Sequence, residues 1–462
     1  MASSPEITAV SAPGKVMLAG GYLVLDRDYT GLVFGLSARI HVVAQDIRTS
    51  QGVHLTEIVV ESPQFTEAQW RYGFHLTENF GGIKVTQLHS SLIIAVIRYR
   101  GGAVSKNPFV EATLNYVLTY ITNVRREPAT APIKSSRLTI LADNDYYSQS
   151  HLEHANGSNS SAGRFARFPV RLQDAHKTGL GSSAALVTAL TAALLTHYLP
   201  NDIFDLNSQG GHNHRILHNL AQAAHCHAQG KVGSGFDVAA AVYGPSLYRR
   251  FSESILKSLP EPGAPRFSLE LGQVIHGQGL WDTEVMTGEA SLPTGVALRM
   301  IDVDCGSQTV GMVKQVLTWR SSYPDAAKAL WNELQQKNEA LAAVLKNGRT
   351  HEIRDATHAV RALVREMGNA SGVPIEPQSQ TELLDDLEGV QGVYGGVVPG
   401  AGGYDAIALL VKDDEETTAN ITSFLRSYPK DVKARLLDVK GEMEGVRKVK
   451  REDFGIYDGW LA

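Results

Sequence analysis

Cysteine is nearly absent: Cys226 and Cys305 are the only two in 462 residues. Two thiols cannot staple a disulfide framework, so a reducing compartment, the cytoplasm, is expected. A dominant sign of charge is missing too. Lys and Arg total 43 against 48 Asp and Glu, a formal net charge of −5, which argues against nucleic acid or an anionic membrane surface as partner. No apolar run is long enough to span a bilayer, so membrane insertion is not expected. The opening MASSPEITAV lacks the basic start and apolar stretch of a signal peptide, and the closing GWLA matches no retention or prenylation signal. There is no internal repeat. What remains, 43% hydrophobic and 20% charged, is a globular composition with ample core for two or more domains.

One stretch organises the rest: KTGLGSSAALVTALTAALL, Lys177 to Leu195. Two glycines around one residue, then two serines, then an Ala/Leu run without Gly or Pro predict a tight loop feeding a helix N-terminus. Gly179 and Gly181 let backbone approach a ligand closely. Ser182 or Ser183 can cap the helix, and can also reach a phosphate oxygen or a metal ion. Free amides of the first turn, with the helix dipole, form an anion site, and Lys177 adds charge at its mouth. A capped core helix after a turn would look the same. The pattern is not a Walker A loop, because no Lys follows the second Gly.

Before this stretch, residues 7–62 alternate apolar segments with turns and predict an antiparallel sheet. Lys15 follows a Pro13-Gly14 turn and enters a strand; an isolated lysine there would be a solvated surface group. Asn107 and Pro108 open a helix as cap and first-turn residue, and a strand is predicted at 136–142. Asp143 to Arg167 is polar, Ser/Asn/Gly-rich and aperiodic, which predicts a mobile surface insertion, either a lid or a passive loop.

After it, HNHRILHNLAQAAHCHAQ is helical and histidine-rich. His214 and His218 lack the intervening signature of a zinc protease, and His225, Cys226 and His227 cannot share one helix face. These histidines are expected to be solvated or hydrogen-bonded, not zinc ligands. GKVGSGFDVAAAVYG places Ser234 in a Gly-Ser-Gly turn and Asp237 at a helix start, where it could serve as N-cap. Residues 252–294 look like a domain junction. From 295 the order strand, helix, strand, strand, helix, strand predicts a ferredoxin-like unit with extra helices. PGAGGYDA, Pro399 to Ala406, is a Gly-rich turn between its two late strands.

Three of these stretches, in order, resemble the three motifs of the GHMP small-molecule kinases. SAPGKVMLAGGYLVLD is similar to the first motif, though many relatives carry Gly-Glu where this chain has Gly20-Gly21. KTGLGSSA is similar to the central phosphate loop. PGAGGYDA is similar to the third, usually SGAGGGD, with Tyr404 in place of a glycine. With GSGFDVAAA, SGVPIEP and GGVVPGAGGYDA, the finer likeness is to fungal members that act on 5-phosphomevalonate. The resemblance implies an α+β, two-domain GHMP kinase fold. Residues 1–285 would form an N-terminal domain like ribosomal protein S5 domain 2, and 286–462 a ferredoxin-like C-terminal domain. ATP and 5-phosphomevalonate would meet between them, with Mg²⁺ as cofactor, giving ADP and 5-diphosphomevalonate for isoprenoid and sterol synthesis.

The resemblance also implies roles. Lys15 and Asp237 would be catalytic. Lys177, Thr178, Gly179, Leu180, Gly181, Ser182, Ser183 and Ala184 would bind nucleotide, with Ser183 also helping to hold Mg²⁺. Ser234, Gly400, Ala401, Gly402 and Gly403 would face the acceptor, the glycine loop through its backbone amides. Lys177, Arg171, Arg249 and Arg250 are candidates for the acceptor's own phosphate. An alcohol acceptor, or a non-catalytic sensor on the same fold, are the rival readings. Oligomeric state is not legible.

Overall fold

The structure is a computed structural model. It describes the chain except residues 1–6, 49, 51–54, 89–105, 126–132, 148–162, 209–210, 278, 304–310, 429–432 and 462. Cys305 lies outside the described residues.

Two long strands come first, β1 (Ile7–Ala19) and β2 (Gly31–Asp46), paired antiparallel. Both are buried along nearly their whole length, which is why they read as continuous apolar runs. The expected turn at Pro13-Gly14 does not exist. The strand runs through both residues with a register shift between them, a bulge that accommodates a residue without an N–H.

Strands β3 (Glu57–Glu61), β4 (Gln69–Thr77), β5 (Gly82–Leu88) and β6 (Ser136–Ala142) extend the sheet, with β3 and β6 parallel. Helix α1 (Pro108–Val124) starts where its signals put it, the Asn107 side chain accepting from Val110 N at 3.2 Å. Helices α2 (Ser182–Tyr198), α3 (His212–Gln229) and α4 (Phe236–Tyr243) follow. Because α2 is apolar on all sides it sits innermost, against β1 and β2 on one flank and α1 and α3 on the other. Val187, Leu190 and Leu194 are fully buried there, each contributing roughly 1.5–3 kcal/mol. β7 (Ser246–Arg249), α5 (Phe267–His276) and β8 (Glu284–Met286) close this half.

The second half runs β9 (Val296–Val303), α6 (Met312–Ser322), α7 (Pro324–Lys346), α8 (Ile353–Ser371), α9 (Gln378–Leu387), β10 (Val393–Val397), β11 (Ala406–Lys412), α10 (Glu415–Ser427) and β12 (Ala434–Glu442). The strand order β10-β11-β9-β12 is that of the expected β-α-β-β-α-β unit, enlarged by helices between its first two strands. β12 then pairs with β2 through Gly441–Leu36 and Glu442–Gly35, and β13 (Arg447–Lys448) pairs with β1. One hydrogen-bonded ladder therefore joins the two halves. No described helix is long and apolar enough to cross a membrane.

The expected insertion is shorter than the polar stretch suggested. Its described ends, 143–147 and 163–167, are built into the protein: Asp143, Tyr146, Tyr147 and Phe165 are buried, and Tyr147 meets the Phe65 ring edge-on at 4.8 Å. Counting Ser, Asn and Gly hid these aromatic anchors. The middle, 148–162, lies outside the described residues.

Candidate functional site

The loop before α2 is stitched to β1: Lys15 N donates to Leu180 O at 2.9 Å. Gly179 and Gly181 both have positive φ, +75° and +83°, but for different reasons. Nothing lies within 4 Å of a Cβ built on Gly179, whereas one on Gly181 would stand 2.8 Å from Cγ and from Cε of Lys15. Gly181 is thus a glycine because the lysine side chain lies across it. Lys15 Nζ ends 3.5 Å from Gly179 O and 5.5 Å from the centre of the Phe236 ring. Burial pulls its pKa below the ordinary lysine value, and Asp237 opposes that shift.

The serines do not cap α2, contrary to the cap reading. Gly181 occupies the cap position and no side chain caps the helix. The first intrahelical amide bond there is Ala185 N to Gly181 O, so the amides of Ser182, Ser183 and Ala184 have no intrahelical acceptor. Three amides without an intrahelical acceptor at a helix N-terminus are the arrangement an anion would need. Ser183 Oγ instead meets His225 Nε2 at 3.2 Å. Leu180 is a core residue, and Thr178 is an anchor, its hydroxyl donating to Asp145 O and its amide to Tyr146 O.

Asp237 does not cap its helix either. The cap is Gly235, at φ +83°, where a Cβ would meet Gln222 Oε1 and Tyr248 OH at 2.7 Å. Asp237 sits in the first turn of α4, with Oδ1 accepting from Val238 N at 3.0 Å and Oδ2 3.9 Å from His225 Nε2. Ser234 gives its carbonyl to Tyr248 OH at 2.7 Å, which fixes the turn.

The late glycine loop is held differently from expectation. The amides of Gly400, Gly402 and Gly403 donate to Met17 O, Pro399 O and Ile375 O at 3.0, 3.1 and 2.9 Å. They are not available to a ligand. Of the four, Ala401 N–H makes none of the described backbone bonds. Its carbonyl accepts from Tyr22 OH at 2.7 Å. Here the departure at Gly20-Gly21 finds its reason: a Cβ on Gly21 would lie 1.7 Å from Gly400 O. The loop is docked on β1, two residues beyond Lys15.

Two hollows flank this core. A cavity of about 210 Å³ is lined by Lys106, Phe109, Tyr147, Lys177, Ser182 and Ser183, among others. An open cleft of about 610 Å³ lies between α6 and Lys231, with Lys314 and Thr318 on its α6 wall. It adjoins a wider hollow of about 830 Å³ that reaches Gly403 and Tyr404. Three cations named from sequence are engaged elsewhere. Arg171 pairs with Asp174, Arg249 with Glu284 and Arg27 O, and Arg250 with Leu25 O, Gly233 O and Glu253. Lys177 remains, and Lys106, Lys231, Lys314 and His225 are additions that sequence reasoning missed. The signals available were the place of Lys106 beside the Asn107-Pro108 helix start and that of Lys231 inside the GKVGSGFD stretch.

Among the described residues no three His, Cys, Asp or Glu side chains cluster to cage a metal. A hydroxyl and a carboxylate, Ser183 and Asp237, do converge through His225. That oxygen pair suits a hard cation that takes its other ligands from phosphates and water.

Comparison with known proteins gives the family. Residues 166–245 match the family described as GHMP kinases N terminal domain. The chain is 58% identical over 455 residues to a phosphomevalonate kinase of Gibberella zeae, covering 98% of each chain. It is 44% identical over 511 residues to that of Aspergillus fumigatus, covering 99% of each. Among solved structures, the Streptococcus pneumoniae phosphomevalonate kinase in complex with phosphomevalonate and AMPPNP superposes with a TM-score of 0.58 at 16% identity, covering 96% of this chain and 99% of that one.

Proposed function

This chain belongs to the phosphomevalonate kinases of the GHMP kinase family, and from that premise we infer how its residues divide the work. The enzyme transfers the γ-phosphoryl group of ATP to the phosphate of 5-phosphomevalonate, giving ADP and 5-diphosphomevalonate in the mevalonate route to isoprenoids. The observation that carries the residue assignment is the placement of Lys15, lying across Gly181 with Asp237 and the open first turn of α2 beside it.

In this reading the amides of Ser182, Ser183 and Ala184 hold the β- and γ-phosphates. The 210 Å³ cavity beside them, rimmed by Lys106 and Lys177, takes the nucleoside. Mg²⁺, bound with ATP, neutralises phosphate charge, and Ser183 and Asp237 are the residues that would hold it. The acceptor enters between the 230–237 turn and α6, where Lys231 and Lys314 face its existing phosphate.

The acceptor's chemistry decides which side chain matters most. A phosphate monoester has a second pKa of about 6 and is mostly a dianion near pH 7, already a competent nucleophile. The barrier then lies in bringing two anions together. Like unit charges ~4 Å apart repel by about 4 kcal/mol at an effective dielectric of about 20. Lys15 offsets that repulsion, as phosphoryl transfer by positioning and charge requires. Asp237 orients Lys15 or a cation-bound water and is not needed as a base.

We place the boundary between the halves near residue 285, within β8, the last strand to pair with β7, and we assign the enzyme to the cytosol, where buried Cys226 stays a free thiol. A coupled ADP assay tests the function: turnover is expected with 5-phosphomevalonate and Mg-ATP and not with mevalonate. Comparable rates with mevalonate would overturn the acceptor assignment.

A further inference from the structure

His225 is the α3 histidine whose ring reaches the phosphate loop. It is 2% exposed, and its neighbours fix it from several elements. Phe109 of α1 lies beside the ring, centroids 5.6 Å apart. Nε2 is 3.2 Å from Ser183 Oγ on α2, 3.9 Å from Asp237 Oδ2 on α4 and 3.4 Å from Gln229 Nε2 on its own helix.

The atoms involved restrict what the ring can do. Ser183 and Asp237 both approach the same nitrogen. A Ser-His-Asp relay needs the carboxylate on Nδ1 and the hydroxyl on Nε2, so this constellation is not a hydrolytic triad. The side-chain amide of Gln229 meets the same nitrogen from its own helix. In the tautomer that carries its proton on Nδ1, Nε2 is an acceptor, and the Ser183 hydroxyl at 3.2 Å is placed to donate to it.

We propose that His225 is a positioning residue for the cation: by accepting the Ser183 hydroxyl proton, it turns the Ser183 lone pairs toward the mouth of the loop. This rests on the reading of Ser183 as a cation-holding residue. A serine hydroxyl is a weak neutral ligand. Donating its proton to an imidazole raises the charge on its oxygen and removes its freedom to rotate. Without the ring, the Ser183 hydroxyl is free to rotate among its rotamers. The pairing also explains why this histidine is buried beside a polar loop instead of facing solvent as His212 does on the same helix.

The test measures Mn²⁺ affinity by the electron paramagnetic signal of free Mn²⁺, with the ATP analogue AMPPNP saturating. Ser183→Ala and His225→Leu are each expected to weaken Mn²⁺ binding about 10-fold. The double variant should be no worse than either alone. His225→Gln, whose Oε1 falls near the place of Nε2, should recover most of the affinity. If Ser183→Ala binds Mn²⁺ as the wild type does, the reading of Ser183 as a cation-holding residue fails. If Ser183→Ala is weakened but His225→Leu is not, or the two losses multiply, that reading stands and this proposal is overturned. Nitrogen NMR of wild-type enzyme carrying ¹⁵N-histidine gives a check that no variant's folding can spoil. His225 should carry its proton on Nδ1, and a proton on Nε2 would refute the proposal.

Discussion

At the scale of single residues, the roles proposed for Lys15 and Asp237 oppose each other in bringing two phosphates together. Lys15→Ala is expected to lower turnover by about 10²–10³, the cost of removing one preorganised charge-stabilising group. Asp237→Asn should cost less, and both should keep an acid limb below about pH 6 that belongs to the acceptor's own phosphate. If Asp237→Asn is the more damaging change and loses that limb, Asp237 is a base. Lys15 also links function to stability. Its pKa is lowered from that of a free lysine, chiefly by burial. Between the folded and unfolded pKa values the unfolded chain binds more protons, so stability rises with pH across that window. Below it, desolvation of the half-buried ammonium counts against folding. Lys15→Met is therefore expected to melt at a higher temperature than the wild type at pH 7 while losing turnover. A lower melting temperature would show that the ammonium is well solvated.

The phosphate loop and the late glycine loop are elements whose glycines are not equivalent. Gly179→Ala meets no atom and suffers only its left-handed backbone, about 1–2 kcal/mol. Gly181→Ala suffers the same strain and also pushes a Cβ against Lys15. Isothermal titration with AMPPNP and initial rates should therefore show Gly181→Ala losing turnover at least tenfold more than Gly179→Ala. Equal losses would mean that Lys15 does not lie across Gly181. Gly21 belongs to the same argument. Its missing side chain is what lets the 399–403 loop dock on β1, so Gly21→Ala should destabilise the protein by about 1–3 kcal/mol, the usual cost of overpacking. Urea unfolding checks this.

For the whole molecule, buried charges hold the second half to the site. Arg361, with its side chain 2% exposed, bonds Glu376 at 2.9 Å, Asp385 at 2.7 Å and Glu388 at 3.4 Å. Glu376 follows Ile375, whose carbonyl receives the Gly403 amide. Arg361→Met removes one cation from Glu376 and from Glu388, a change that typically costs about 3–5 kcal/mol when a buried pair is broken, although His358 still meets Glu388 at 2.7 Å. Because Arg365 still reaches Glu376 at 2.7 Å, the lower figure is expected in urea unfolding. Acid acts on the other half. Burial lowers the pKa of His218 from 6.5 to about 4. Between those values the unfolded chain takes up a proton that the native chain refuses, so stability falls as pH falls, by about 1.4 kcal/mol per pH unit. His218→Gln should flatten that part of the acid limb; an unchanged slope would mean the ring is charged in the native state.

The elements and the phosphate loop were legible in the sequence because their causes are local. Asn107 and Pro108 start α1 by capping geometry, and β6 spans the predicted 136–142. The positive φ of Gly179 and Gly181 is a property of the loop itself. What the sequence misjudged depends on contacts between distant segments. Ser183 is read as a cap until His225, from the next helix, claims its hydroxyl. The 400–403 amides look free until β1 and Ile375 arrive to accept them. Arg249 and Arg250 look like phosphate ligands until the carbonyls of Arg27 and Leu25 bind them. Periodicity and propensity report how a residue meets its chain neighbours. A donor's partner is chosen by whichever acceptor the folded chain brings within about 3 Å, and that choice belongs to the tertiary structure.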